Sequence, residues 1–293
     1  MRLYRTRDGV ARRDGDELVL LELPGHDVIP GLADRIELAR EAPERARIPL
    51  ADAELLCPTS YPGKVVLAGG NYLDHVAEAG LATATAPVFI TMAGDAVVGP
   101  RTPIVLPAEA PDHVDYEGEL ALIVGTPGGH IAAADAWKHV AALTIVNDVS
   151  ARDVQLAGMD GGAITVIDNV RCGKGFPTFK PLGPCLVTVD EFESPLDLAI
   201  TTYVNGQVRQ SARTSEMIFS VPEIIEYVSS SVQLATGDLI LTGTPGGVGL
   251  ATGAYLRAGD LVEIDIEGIG RLTNPVAAGN SAPISTPMHR VNS

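Results

Sequence analysis

The amino-acid sequence predicts an α+β fold dominated by β-strands. Three observations support this class: the apolar runs are short, turn-forming residues are frequent, and strands do not alternate regularly with helices. The 293 residues include 31 glycines and 21 prolines, which favours many turns and short elements over long helices. With 46% hydrophobic and 20% charged residues, the composition is that of a globular protein with a substantial core.

Residues 1–57 differ in pattern from the rest of the chain and are predicted to form a small N-terminal module that contains strands. Apolar runs at Leu18–Leu23 and, more weakly, at Ile36–Leu38 lie among arginines, glutamates and prolines. The alternative is an N-terminal arm packed on the main body. Residues 58–293 are predicted to form the main domain.

The main domain is predicted to contain several short strands bounded by turn residues. They are Lys64–Ala68, Glu119–Gly125, Leu143–Val146, Leu239–Leu241 and Leu261–Glu267, the last with alternating apolar and acidic residues. A short helical turn is predicted from Asn71 or Asp74 to Ala79, and Asp135 is predicted to cap another. Ser220 and Glu223 form a capping box that opens a helix reaching about Val232.

Charge and cysteine content narrow the classes of partner. A formal net charge of −16 would repel nucleic acids and anionic membranes, so the expected partner is a small molecule. No run of eighteen apolar residues is present, and Met1–Val10 does not resemble a secretory signal. Three cysteines without paired spacing suggest free thiols in a reducing compartment. A cytoplasmic protein is therefore expected.

Two glutamates on one predicted strand form the first candidate site. Side chains alternate along a strand, so Glu117 and Glu119 point to the same face, where their charges repel unless a cation lies between them. Asp148 begins a polar segment that directly follows a buried strand. Carboxylate oxygens favour Mg²⁺, Mn²⁺ or Ca²⁺ over Zn²⁺. The alternative is a solvated, acidic strand face.

A second candidate pairs a histidine with a glutamate. On a helical turn His75 and Glu78 are neighbours three residues apart, and a carboxylate beside an imidazole orients it and raises its basicity. Such a dyad can activate water, although a surface ion pair explains the same pattern. The glycine-rich segment around Thr244 could offer backbone N–H groups to an oxyanion, or could simply be a tight turn.

The order of these motifs resembles that of the fumarylacetoacetate hydrolase superfamily, in its acylpyruvate hydrolase and 2-hydroxyhepta-2,4-diene-1,7-dioate isomerase branch. The resemblance extends from Lys64 to Val276. It rests on six stretches: GGNYLDHVAEAG (69–80), VDYEGELALIVG (114–125), VNDVSARDVQ (146–155), KGFPTFKPLGP (174–184), VNGQVRQSARTSEMIFSVPEII (204–225) and GDLILTGTPGGVG (237–249). It implies a mixed β-sandwich roll with a few short helices, and a catalytic domain over residues 58–293.

The resemblance also implies roles for individual residues. It implies an Mg²⁺ or Mn²⁺ ion, with Ca²⁺ as a substitute in crystals, held by the three carboxylates named above. It implies a catalytic group of His75, Glu78 and Lys174, in which Lys174 helps to polarise the substrate. Four further residues are implied to contact the substrate: Tyr72, Arg152, Gln155 and Thr244.

The reaction implied by the resemblance is hydrolysis of a C–C bond in a small anionic 2,4-dioxo acid, through a metal-bound enolate. Decarboxylation of a 2-oxo acid and enol–keto tautomerisation are alternatives on the same scaffold, and a non-catalytic, metal-dependent ligand-binding protein is a third. Relatives are usually homodimers, so a homodimer is expected. The chain departs from the family pattern at Pro177, in the lysine-free segment Phe89–Gly99 and in the glycine-rich segment Gly158–Gly162. These departures bear on the identity of the substrate and on the reaction more than on the three carboxylates that are implied to bind the metal.

Overall fold

The structure, a computed structural model, describes residues 1–23, 32–59, 63–157 and 166–279. These residues are rich in strands, as the sequence predicted. In chain order the strands are β1 (Arg2–Thr6), β2 (Gly9–Asp14), β3 (Glu17–Leu21), β4 (Glu44–Pro49), β5 (Lys64–Gly69), β6 (Val88–Ala93), β7 (Val97–Val98), β8 (Ile104–Leu106), β9 (Val114–Asp115), β10 (Gly118–Val124), β11 (Val140–Asn147), β12 (Ser150–Ala151), β13 (Lys180–Thr188), β14 (Ala199–Val204), β15 (Gln207–Arg213), β16 (Leu239–Leu241), β17 (Leu261–Ile266) and β18 (Gly270–Ala278).

The helices are few and short. They are α1 (Leu32–Glu41), α2 (Leu73–Glu78), α3 (Arg152–Gln155), α4 (Val166–Lys174), α5 (Val221–Ser229) and α6 (Gly249–Thr252), with 3₁₀ turns at Leu50–Asp52, Ala133–His139, Val189–Glu191 and Thr214–Glu216. The capping box predicted at Ser220 is present, and its helix ends at Ser229, earlier than predicted. The predicted cap at Asp135 is wrong, because Ala132 occupies the N-cap position of that turn. No helix in the described ranges is long and apolar enough to cross a membrane.

A large mixed sheet carries most of the described strands. Its order is β4-β3-β2-β1-β13-β11-β10-β16-β5-β6, and β7 pairs with β13 off this path. The N-terminal strands extend this sheet, because β1 pairs antiparallel with β13 through Leu3 and Leu186. Residues 1–57 thus share backbone hydrogen bonds with the rest of the chain. Their standing as a separate module stays a prediction.

A second sheet of five strands packs on one face of the large one, in the order β15-β14-β17-β18-β8. On β17 the residues Val262, Ile264 and Ile266 are buried, as the predicted alternation requires. They join a single core cluster that also contains Leu120 and Leu122 of the large sheet. The arrangement confirms the predicted strand-dominated α+β class.

The two sheets come closest at Gly118, the first residue of β10. A Cβ atom on this residue would lie 2.2 Å from Thr202 Oγ1 of the facing sheet, which is far inside any real contact. Gln210, on β15, reaches across the same gap and accepts a hydrogen bond from the Gly118 N–H at 3.0 Å. Glycine is therefore required between Glu117 and Glu119, and the second sheet fixes the position of the segment that bears them.

Candidate active site

Three buried carboxylates meet at one end of the paired strands β10 and β11. Gly118 lies opposite Asn147 in the antiparallel register, so Glu117, just before β10, and Asp148, just after β11, are neighbours. The Asp148 N–H donates to the Glu117 carbonyl at 2.8 Å. Carboxylate oxygens of Glu117, Glu119 and Asp148 all lie within 4.8 Å of one another. The structure thus brings together the three residues that the sequence singled out as metal ligands.

The two glutamates of this cluster differ in their surroundings. Burial raises the pKa of Glu119 well above its ordinary range, and the carboxylates of Asp148 and Glu117 raise it further. Burial also acts to raise the pKa of Glu117, but Lys174 and Arg152 outweigh it and lower that pKa to about 2. The negative charge of Glu117 is therefore stabilised by nearby cations, whereas that of Glu119 is destabilised by burial and by the neighbouring carboxylates.

Arg152 is a buried bridge between two carboxylates. Its guanidinium donates to Asp115 Oδ2 at 2.8 Å and to Glu117 Oε1 at 2.7 Å. It also donates to Gln155 Oε1 at 2.6 Å. Asp115 in turn accepts hydrogen bonds from the backbone N–H groups of Gly249 and of the next residue. In this structure Arg152 orients Glu117 and occupies the Gln155 amide oxygen, so both side chains predicted to contact substrate are engaged with each other.

Two buried lysines complete the charge network on the other side of Glu117. Lys174 Nζ lies 2.5 Å from Glu117 Oε2 and 2.7 Å from Asp148 Oδ2. Lys180 Nζ lies 2.8 Å from Asp148 Oδ1. That oxygen is buried, and its contact with Lys180 is an ion pair without hydrogen-bond geometry. Lys174, predicted as catalytic, thus contacts two of the three proposed metal ligands.

The predicted dyad is formed at α2. His75 Nδ1 lies 3.0 Å from Glu78 Oε1, and Glu78 Oε2 accepts a hydrogen bond from the Gly247 N–H at 2.8 Å. Gly247 has φ +101°, and a Cβ atom there would lie 2.0 Å from the Arg209 carbonyl oxygen. The glycine-rich loop therefore holds the glutamate, and the glutamate holds the imidazole. Within the described residues Nε2 of His75 has no hydrogen bond, and the ring is close enough to Glu117 to lower the pKa of that carboxylate.

The remaining predicted contacts line the same region. Thr244 accepts a hydrogen bond from the Gln210 amide at 2.7 Å and donates to the Gly118 carbonyl at 3.0 Å. Tyr72 is 1% exposed, and its hydroxyl has no hydrogen-bond partner in the described part of the chain. Burial raises the Tyr72 pKa, and the Glu119 charge adds to that effect, so the hydroxyl is a neutral donor.

Sequence reasoning missed three residues of this network: Lys180, Asp115 and Gln210. Lys180 carried a usable signal, because it is a charged residue inside the apolar run from Phe179 to Val187. A lysine in such a run needs a buried partner. The glycine-rich segment Gly158–Gly162, where the chain departs from the family pattern, lies outside the described residues.

Comparison with known proteins assigns the family. The model for the C-terminal domain of fumarylacetoacetate (FAA) hydrolase matches residues 64–277. The chain belongs to the fumarylacetoacetate hydrolase family. The match begins at β5, so the N-terminal strands β1–β4 lie outside it, while the carboxylate cluster and the dyad lie within it.

Family members of known sequence or structure include several enzymes. The chain is 42% identical over 231 residues to the mitochondrial oxaloacetate tautomerase FAHD2A of Bos taurus, covering 78% of this chain and 71% of that protein. A 5-carboxymethyl-2-hydroxymuconate delta-isomerase from Mycobacterium smegmatis superposes with a TM-score of 0.74 at 39% identity, covering 96% and 100% of the two chains. A fumarylacetoacetate hydrolase from Exiguobacterium antarcticum superposes with a TM-score of 0.77 at 34% identity, covering 95% of this chain and 100% of that chain.

Proposed function

We propose that this protein is a divalent-metal-dependent enzyme that interconverts the keto and enol forms of a small 2-oxo dicarboxylic acid. In this reaction a proton moves between the keto oxygen and the carbon next to the keto group. The observation that carries the proposal is the pairing of a buried cluster of three carboxylates with an oriented imidazole. The names of the relatives favour tautomerisation or isomerisation as the reaction. Such a reaction needs one acid–base group and a means of holding the keto oxygen, and it needs no water.

The donor set suits a hard divalent ion such as Mg²⁺ or Mn²⁺. Glu117, Glu119 and Asp148 offer oxygen atoms within 4.8 Å of one another, and Asp148 Oδ1 accepts no hydrogen bond of good geometry from the described residues. Burial raises the pKa of Glu119 and the carboxylates of Asp148 and Glu117 raise it further, and a divalent ion bound among them would offset this repulsion. When bound, a divalent ion supplies Lewis-acid polarisation of a keto oxygen, which acidifies the neighbouring C–H bond.

Proton transfer is assigned to His75. Its Nδ1 is engaged by Glu78, so Nε2 is the nitrogen that takes the proton from carbon and returns it to oxygen. Glu78 stabilises the imidazolium that forms transiently, and the Gly247 N–H keeps this carboxylate in place. The Tyr72 hydroxyl, buried and without a partner, is a candidate donor to a substrate oxygen. Lys174 offsets charge that develops beside Glu117.

Hydrolysis of a C–C bond in an acylpyruvate-like 2,4-dioxo acid is the second candidate, and the same dyad favours it. In that reaction His75 would take its proton from a water molecule, which then attacks the distal carbonyl. Decarboxylation of a 2-oxo acid is a third use of the scaffold. The homodimer and the cytoplasmic location expected from the sequence also stay proposals.

The test follows three reactions in parallel with the purified protein and Mg²⁺. We expect faster loss of enol absorbance from freshly dissolved enol-oxaloacetate than in buffer with Mg²⁺ alone. Carbon dioxide release from oxaloacetate and pyruvate release from acetylpyruvate are measured in the same samples. Pyruvate release as the fastest reaction would favour the hydrolase instead, and carbon dioxide release as the fastest would favour the decarboxylase.

Matched histidine variants locate the acid–base group. His75→Asn should abolish the acceleration, whereas His113→Asn should leave it unchanged. His113 makes a similar pair, with its Nδ1 2.7 Å from Asp153 Oδ1, but both side chains are exposed and outside the cluster. Full activity in the H75N variant would overturn the assignment of His75.

A further inference from the structure

The buried charges around the site form a chain in which anions and cations alternate. Asp115 contacts Arg152, Arg152 contacts Glu117, and Glu117 contacts Lys174. Lys174 then contacts Asp148, and Asp148 contacts Lys180, which ends the chain. Glu119 lies beside this chain and accepts a hydrogen bond from the Gly243 N–H, without an ion pair to any described residue. The chain itself is balanced, so the one charge left over is that of Glu119.

Lys180 is the least expected member of this chain. It is 1% exposed and is the first residue of β13, a strand buried along its whole length. Its Nζ donates hydrogen bonds to the Phe179 carbonyl at 3.2 Å and to the Lys174 carbonyl, and it lies 2.8 Å from Asp148 Oδ1. A neutral amine that donated both N–H groups to the two carbonyls would turn its lone pair towards the carboxylate oxygen, and the two would repel each other. Burial lowers the Lys180 pKa and Asp148 opposes that effect, and the contact of 2.8 Å between Nζ and the carboxylate favours the ammonium form.

The charge of Lys180 changes what the cluster can bind. With Lys180, the four buried carboxylates face three buried cations, and a divalent ion would turn the whole site positive by one charge. Without Lys180, the ion-loaded site would be neutral. A positive site in a low-dielectric interior favours a ligand with two negative charges over a ligand with one.

We infer that Lys180 is a specificity-determining residue. Its charge lowers the affinity of the cluster for the divalent ion and makes the ion-loaded site select dianionic ligands. This inference rests on the proposed metal-dependent function and names its substrate class, small 2-oxo dicarboxylates. Lys180 acts through Asp148 and through the backbone of Lys174, and it has no direct role in proton transfer. Any uncharged residue at this position should shift the selectivity towards monoanions.

The first experiment measures Mn²⁺ binding to the metal-free protein by titration calorimetry, with no substrate present. Lys180→Gln keeps an N–H donor for the backbone carbonyls and removes the charge, so Mn²⁺ should bind about tenfold more tightly than to the wild type. Lys180→Arg keeps the charge and should bind Mn²⁺ like the wild type. If the glutamine variant does not fold, Lys180→Met replaces it in the same titration.

Lys64→Gln is the matched control. Lys64 forms an equivalent ion pair, with its Nζ 2.5 Å from the fully buried Asp238, but this pair lies at the opposite end of β5 from the dyad segment. Its loss should lower the stability of the protein and leave the Mn²⁺ affinity within twofold of the wild type. Tighter Mn²⁺ binding in both variants would indicate a general effect of charge or stability and would overturn the inference.

The second experiment measures the affinity of the Mn²⁺-loaded proteins for oxalate, a dianion, and for pyruvate, a monoanion. In Lys180→Gln the oxalate affinity should fall at least fivefold more than the pyruvate affinity. Equal changes for the two ligands would overturn the inference while leaving the proposed function intact. A wild-type protein that binds no Mn²⁺ would instead overturn the proposed function, so the two failures are distinguishable.

Discussion

Replacing Glu119 by glutamine should make the metal-free protein more stable while weakening its hold on the metal. The carboxylate is 2% exposed and lies within 4.8 Å of two others, which explains its raised pKa. Glutamine has the same shape, and its amide oxygen can still accept the hydrogen bond that the Gly243 N–H donates at 2.7 Å. The substitution therefore removes a repelled charge and keeps the local contacts.

The expected gain in stability follows from the raised pKa of Glu119. A carboxyl group whose pKa is raised on folding takes up a proton, so its contribution to stability decreases as pH rises above the unfolded-state value of 4.5. Each pH unit costs about 1.4 kcal/mol, which sets a ceiling of about 3.4 kcal/mol at pH 7.0. We expect Glu119→Gln to gain roughly 1–3 kcal/mol at pH 7.0 and less than about 0.7 kcal/mol at pH 5.0.

The assay is urea unfolding in EDTA at both pH values, repeated with excess Mn²⁺. In Mn²⁺ the wild type should be the more stable of the two proteins, because the ion binds only its folded state and so stabilises it. Asp148→Asn is the control of opposite sign, since it removes the carboxylate that contacts Lys174 and Lys180 and should destabilise the metal-free protein. A glutamine variant that is less stable than the wild type in EDTA at pH 7.0 would refute the reasoning.

Three further predictions concern single residues. Gly118→Ala should lower stability by about 1–3 kcal/mol and abolish activity, because its Cβ would lie 2.2 Å from Thr202 Oγ1; chemical unfolding and a turnover assay check this, and wild-type stability would contradict it. Arg152→Met should cost about 3–5 kcal/mol in urea unfolding, because it leaves the buried Asp115 without its ion pair and Glu117 with that to Lys174, whereas Arg152→Lys should cost less; equal losses would count against the ion-pair explanation. Burial raises the pKa of Cys185 to about 11, so a disulfide reagent should label the exposed Cys172 in the folded protein and Cys185 only after unfolding, and early Cys185 labelling would contradict the packing.

The sequence was sufficient to predict the local elements and the composition of the carboxylate cluster. Strand β17 could be predicted because apolar and acidic residues alternate, and α5 because its capping box is a local signal. Glu117 and Glu119 could be paired because strand geometry fixes which side chains share a face. Asp148 joined them through the order of motifs typical of the family.

Contacts between residues that are far apart in the sequence could not be predicted from local sequence patterns. Nothing local shows that β1 pairs with β13, 180 residues away, because strand pairing depends on the whole fold. The family resemblance implied that Arg152 contacts the substrate. In the structure Arg152 forms ion pairs with two buried carboxylates, and one of them, Asp115, had no role predicted from the sequence.

The N-terminal extension of the large sheet has a practical consequence for expression of this protein. Strand β13 carries Lys180 and lies between β1 on one side and β11 on the other. A recombinant fragment limited to residues 64–277 would match the family model and lack β1. It would expose the unpaired backbone of β13, a long apolar edge of the kind that templates aggregation between copies. The first strands of the chain thus act as a shield against intermolecular association.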